Sequence, residues 1–344
     1  MNSTLQNFLS TLEDIETLAI VGIEKNTGKT ETLNFVVTRT KHRRKIGLTS
    51  IGTDGEEKDL VFGTVKPPVY VDEGIFYTTT ELFFRRRTVS SEIYYVSDRT
   101  TPTGRLIVAK ALHPGRVVIS GPTDNTWMSE IVNYMHKFVD FVIIDGALSR
   151  FTQASPTIAD GIILATGAAY SLIVSEIVRH TKYIHTLCTL PEAPQTEKVH
   201  LMDKNTVTLY DARTGWIETN LETALQLQKD ENVLKMLEKS EKIYIPTSLT
   251  DSLLSLVKDK EIIVRDFTKI FISQEKYLKY KPRIRVLRST RVVGITVNPF
   301  SPTGYVLDAK RIIEELKKAL PNVPIIDVRR DFDTDDISTE KGKV

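Results

Sequence analysis

The chain is 344 residues long, enough for two domains of ordinary size or one large α/β domain. Hydrophobic residues make up 41% and charged residues 26%, the composition of a folded globular chain, which excludes disorder for its bulk. Its 46 Lys and Arg against 44 Asp and Glu leave a net charge of +2, too small for a protein whose main work is neutralising a nucleic-acid backbone.

Six His and a single cysteine, Cys188, show no metal-ligand spacing, and one cysteine cannot close an internal disulfide. A reducing compartment fits this usage. The opening MNSTLQNFLSTLEDIE has no basic region followed by an apolar one, so no secretory signal is expected and the predicted location is cytoplasmic. The most apolar long stretch, 158–178, is interrupted by Asp160, Gly161, Gly167 and Glu176, which argues against a membrane span.

From residue 17 onward short β-branched runs alternate with helical patterns, the signature of a mainly parallel sheet with helices on both faces. TLAIV (17–21) reads as a buried strand, 22–28 as a polar turn, 29–40 as a helix and KIGLTS (45–50) as the next strand. Residues 53–104 break the rhythm, and their extended pieces PPVYVDEGIFYTTT and SEIYYVS predict a β-containing insertion or lid. Alternation resumes with a strand at 116–120, a helix at 125–137 and the strand FVDFVIID at 138–145. A strand at 160–166, a helix at 170–180 and a strand at 183–190 are expected next. The interval 191–220 reads as loop and small hairpin, a candidate junction between lobes. A second α/β series follows, with a helix at 221–239, IYIP, the helix SLLSLVKD, EIIVRDFTKIFIS, the strand RVVGITV, a helix at 308–320 and VPIIDV. RVVGITV is equally able to return to the first sheet. The predicted organisation is one α/β domain over 1–330, with a polar tail at 331–344 expected to be disordered.

The strongest motif is GIEKNTGKT, Gly22 to Thr30, between a predicted strand and a predicted helix. Glycines at both ends let backbone N–H groups approach phosphate oxygens, and the following helix adds the positive end of its dipole. Gly22, Asn26, Thr27, Gly28, Lys29, Thr30 and Glu31 form the candidate nucleotide cradle. Lys29 would reach the β- and γ-phosphates and the Thr30 hydroxyl would ligate Mg²⁺. Five residues rather than the usual four separate Gly22 from the GKT, so the segment is either a surface turn or a longer phosphate loop resembling that of dethiobiotin synthetase.

A metal site also needs a carboxylate at a strand end, and Asp145, followed by Gly146 and Ala147, supplies one. Asp54, in TSIGTDGEEKD with Thr49 and Glu56, is a second candidate for metal or water, or else part of a solvated acidic turn. Lys66 and Arg150 are weaker candidates for the γ-phosphate. Asn298, ending RVVGITVN, is either a purine-reading amide, as its place in dethiobiotin synthetase-like folds implies, or part of an Asn-Pro turn. The basic runs KHRRK (41–45) and RRR (85–87) read as solvated edges or docking points for an acidic partner. His113, His136, His180 and His185 are given no role.

GIEKNTGKT, GLTSIGTDGEEKD, KPPVYV, VIIDGALSR, ADGIILATGAA and TVNPFSPTG occur in this order, and over most of residues 15–330 the chain resembles the smaller subunit of the lysine 5,6-aminomutase reactivase family. That resemblance implies a nucleotide-dependent factor; with the phosphate loop it makes a P-loop NTPase-like fold the expectation, with ATP and Mg²⁺ ahead of GTP as the ligand, although the sequence does not read the base. Its implied partners are a client cobalamin-dependent aminomutase and a second reactivase subunit. No D-x-H-x-x-G motif is present, so cobalamin is expected on the client. A dethiobiotin synthetase-like ligase and a nucleotide-sensing module without turnover are the alternatives.

Overall fold

The computed structural model describes residues 3–51, 69–147 and 155–328. Asp54, Glu56, Lys66, Arg150 and the 331–344 tail lie outside them. The described residues divide into two compact units, the first comprising those up to 147 with 158–182 and 292–328, the second 155–157 with 183–291. The interval 191–220 thus lies within the second unit.

In the first unit, α1 (Ser3–Thr11) precedes β1 (Thr17–Gly22), α2 (Lys29–Thr40) and β2 (Ile46–Ser50). Next come β3 (Val69–Val71), β4 (Phe76–Thr80), the single turn α3 (Glu81–Arg85), β5 (Ser91–Thr101), β6 (Gly104–Ala111) and β7 (Gly115–Val117). Helix α4 (Asn125–Met135), β8 (Phe141–Ala147) and β9 (Gly161–Gly167) follow, and the chain leaves this unit within α5 (Val174–Cys188). It returns to supply β17 (Val292–Asn298), α10 (Ala309–Ala319) and β18 (Ile325–Ile326). Nine strands form one sheet in the order β18-β17-β9-β1-β8-β2-β4-β6-β5. The seven from β18 to β4 are parallel, and β6 and β5 add an antiparallel edge. The fold is therefore α/β with a large mixed sheet.

Strand alternation assigns the two faces of this sheet. Leu18 and Ile20 of β1, Phe141 and Ile143 of β8 and Ile163 of β9 join Leu33, Val36 and Val37 of α2 and Phe8 of α1 in one buried cluster. On the opposite face Met135 of α4 packs against Gly47, and Thr166 of β9 hydrogen-bonds Thr181 of α5 at 2.8 Å. Helices thus cover both faces, as the alternation predicted.

Several local expectations are corrected. Of the extended pieces expected to form a β-containing insertion or lid, β4 and β5 widen the main sheet, because β4 pairs in parallel with β2 and β6 bridges β4 and β5, whereas β3 does not join it. The strand expected at 116–120 is reduced to β7, which pairs with β3 in a separate two-stranded ribbon. The strand expected at 183–190 is the last part of helix α5. Buried Ile177, Thr181, Ile184 and Cys188 recur every three or four residues, and that helical period outweighs the local apolar run. At the N-terminus, unassigned from sequence, α1 buries Leu5 and Phe8.

The second unit carries α6 (Gln195–Leu201), β10 (Thr208–Asp211), β11 (Gly215–Glu218), α7 (Glu231–Lys239), β12 (Lys242–Ile245) and β13 (Leu249–Thr250). It continues with α8 (Asp251–Val257), β14 (Glu261–Val264), β15 (Ile270–Phe271), α9 (Gln274–Tyr280) and β16 (Arg283–Val286). Its sheet runs β11-β10-β12-β14-β16, with β12, β14 and β16 parallel. The helix expected over 221–239 is split, since Asp230 accepts hydrogen bonds from the Asn232 and Val233 amides and starts α7 afresh. Among the described residues no helix is long and apolar enough to cross a membrane.

Candidate phosphate-binding site

Strand β1 is where the chain changes direction across the sheet. From β1 it passes to β2 on one side, and from β8 it crosses back to β9 on the other. Crevices at such reversals, outside the carboxyl ends of the strands, are where open α/β sheets hold ligands. The residues that follow β1 there are those of GIEKNTGKT.

The loop's backbone is set by three residues. Asn26 adopts a left-handed conformation with φ 61°, which asparagine tolerates better than most residues. Gly28 has φ 90°, and a Cβ there would lie 2.9 Å from the Cβ of Asn298. At Gly22 a Cβ would come within 2.5 Å of the Thr27 hydroxyl oxygen. Thr27 is buried and donates its hydroxyl to the Glu24 carbonyl at 2.8 Å, so it braces the loop from inside. Asn26 is exposed, whereas Lys29 and Thr30 are half-buried in the first turn of α2. Gly28 is the N-cap and contributes no side-chain acceptor to that turn. The twelve-residue helix therefore presents its positive end beside Lys29 and Thr30, with Glu31 following them.

Asp145 is brought to the same edge. It lies on β8, immediately beside β1, in register with Ile20 on one side and Ser50 of β2 on the other. Asp145 shares its alternation with Phe141 and Ile143, which pack against α2, so its half-buried carboxylate belongs to the face on which α2 begins. The structure thus places the Gly22–Thr30 loop, with Lys29 and Thr30, and Asp145 at one edge of the sheet. Among the described residues no three His, Cys, Asp or Glu side chains cluster to hold a metal. Magnesium commonly takes one or two protein oxygens plus substrate phosphates, and a hydroxyl with a carboxylate suits it.

Asn298 also reaches this edge, but its amide is engaged within the protein. Its Nδ2 donates to the Asn26 carbonyl at 3.0 Å, and its Oδ1 accepts from the Phe300 amide at 3.2 Å. Behind it Thr296 of β17 and Thr32 of α2 hydrogen-bond at 2.8 Å, both fully buried. This link between β17 and the loop had no signal in the sequence, because its partners lie more than 260 residues apart.

Tyr170, just after β9, stacks on His180 with ring centroids 4.2 Å apart, giving that histidine a packing role. Burial, and then the Glu176 carboxylate, hold the Tyr170 phenol above its usual range, with Glu24 of the loop adding a smaller push. Within the basic runs Lys41, Arg44 and Arg87 have local partners. Lys41 pairs with Asp72 at 2.8 Å, Arg44 pairs with Asp140 at 2.9 Å while donating to the Ile15 carbonyl, and Arg87 lies over the Phe84 ring.

No protein-family model, curated protein or solved structure matches this chain.

Proposed function

We propose that the chain is a P-loop protein that binds a nucleoside triphosphate, ATP in preference to GTP, with Mg²⁺ in the loop from Gly22 to Thr30. The single observation that carries this reading is the placement of that loop. It joins the central parallel strand to a long helix at the point where the strand order reverses, with a carboxylate on the adjacent strand. Lys29 would neutralise the terminal phosphates, while Thr30 and Asp145 would serve the metal, which supplies charge neutralisation between phosphate oxygens.

Chemistry at such a site is positioning and charge stabilisation, so turnover by the chain alone is expected to be slow. The resemblance in sequence extends the proposal to a reactivating factor, in which nucleotide turnover is coupled to a second subunit and a cobalamin-dependent aminomutase.

Calorimetric titration with non-hydrolysable ATP and GTP analogues plus Mg²⁺ tests the core of this reading. Binding by the unsubstituted chain, weakened at least about tenfold by Lys29→Ala, is the expected result, since one charge-assisted phosphate contact is worth about 1.5–3 kcal/mol. Equal binding by both proteins, or none by either, overturns it. Stimulation of phosphate release by the partner subunit would then separate a coupled ATPase from a sensor without turnover.

A further inference from the structure

We infer that Asn298 is the positioning residue of the phosphate loop, and that its side-chain amide aims the loop by holding the carbonyl of Asn26. The inference rests on the reading of that loop as a triphosphate site.

The orientation of the amide is fixed by its two partners. The Asn26 carbonyl can only accept and the Phe300 amide can only donate, so Nδ2 must face the loop and Oδ1 the turn. The anchor itself is firm. Asn298 is 9% exposed and ends β17, whose pairing with β9 runs to Asn298 opposite Gly167, and its own carbonyl accepts from the Ala168 amide at 2.9 Å. The buried pair of Thr296 and Thr32 ties the same strand to the helix that follows the loop.

The consequence for the loop follows from peptide geometry. In a trans peptide the C=O and N–H groups point in opposite directions, and the chain has no cis peptide among its described residues. Drawing the Asn26 carbonyl toward Asn298 therefore turns the Thr27 N–H away from β17. Asn26 in the left-handed region, followed by Gly28 at φ 90°, is the kind of alternating backbone that gathers N–H groups into an anion-binding concavity. Asn26 is exposed and left-handed without being glycine, so an outside hold on its carbonyl is what keeps this conformation selected. Asn298 provides that hold. A Cβ at Gly28 would lie 2.9 Å from the Cβ of Asn298, so only glycine fits there and Asn298 limits how far the loop can collapse toward the strand.

This role differs from base recognition, and inorganic tripolyphosphate, which carries no base, distinguishes them. Asn298→Asp keeps the Cβ against Gly28 and an acceptor for Phe300, but sets a carboxylate oxygen against the Asn26 carbonyl. Asn298→Ala keeps only the Cβ and adds no charge near the phosphates. The experiment is calorimetric titration of the full chain and both variants with Mg²⁺ and either tripolyphosphate or a non-hydrolysable ATP analogue, with thermal unfolding in parallel.

The expected result is that Asn298→Ala weakens both ligands by a similar factor of about five to tenfold, with Asn298→Asp weaker still and the thermal midpoint of the alanine variant within a few degrees of the parent. Loss of ATP-analogue affinity with tripolyphosphate binding unchanged makes Asn298 a base reader and overturns the inference. Unchanged binding of both ligands by Asn298→Ala reduces it to a turn residue and also overturns it. If the aspartate variant does not fold, the alanine variant decides alone. Binding of neither ligand by the parent chain instead refutes the phosphate-loop reading, and the present inference falls with it.

Discussion

Asp145 of β8 stands opposite Ile20 of β1, two residues before Gly22 closes the strand and opens the GIEKNTGKT loop. That register is what brings the carboxylate to the same sheet edge as Lys29 and Thr30, although more than a hundred residues separate them in sequence. Replacing Asp145 by Asn preserves its size and its place in the ladder while removing the charge. The Mg²⁺-dependent part of nucleotide binding should fall about tenfold or more in Asp145→Asn, with metal-free binding little changed, because a metal-directed carboxylate acts only through the cation. Titrations with and without Mg²⁺ measure both parts. An equal loss in the two conditions would remove Asp145 from the metal.

The parts of the candidate site stand out in the sequence because each is local. GIEKNTGKT carries its own strand, turn and helix signals, and Asp145 ends an apolar run followed by small residues. What remained hidden was pairing. Tyr77 and Thr78 of β4 read as an extended piece of a β-containing insertion, yet β4 lies beside β2 because strand order depends on contacts across the sheet that no short window contains. The same reason hid the anchoring of Asn26 by Asn298, whose Asn-Pro sequence announces a turn but not the carbonyl it holds. The misread end of α5 has a different cause. Tyr183, Ile184 and Leu187 satisfy a short strand pattern, and only their phase with Ile177 and Thr181 reveals the helix.

Helix α1 had no expected role, and the structure gives it one in the first unit's core. Phe8 is fully buried, its ring centroid 6.3 Å from that of Phe35 on α2, and it packs against Gly294 of β17, where a Cβ would approach its ring to 2.5 Å. Phe8→Ala should destabilise the first unit by about 3–5 kcal/mol, the usual cost of emptying a buried phenylalanine site. Urea unfolding of the variant and the parent measures it. A loss below about 1 kcal/mol would mean that α1 is not docked as described.

The second unit contains a carboxylate whose ionisation should register in acid stability. Glu192 accepts hydrogen bonds from the Lys198 ammonium at 2.6 Å, the Ser289 amide at 2.9 Å and the Ser289 hydroxyl at 3.0 Å. The Lys198 hydrogen bond, followed by the Ser289 amide, holds its pKa down at about 2, against 4.5 for the unperturbed group. A depressed folded-state pKa means that the charged form stabilises the fold. That contribution is complete above about pH 4.5 and is lost as pH falls toward 2. Glu192→Gln keeps an acceptor for Ser289 and removes the charge, so the stability gap between parent and variant should be widest at neutral pH and close through that acid window. Because the Glu192 side chain is 42% exposed, solvent screening limits the gap to about 1 kcal/mol or less. Denaturation midpoints followed by tryptophan fluorescence across the window test it, and a gap that stays constant as pH falls would assign the Glu192 contribution to packing rather than to charge.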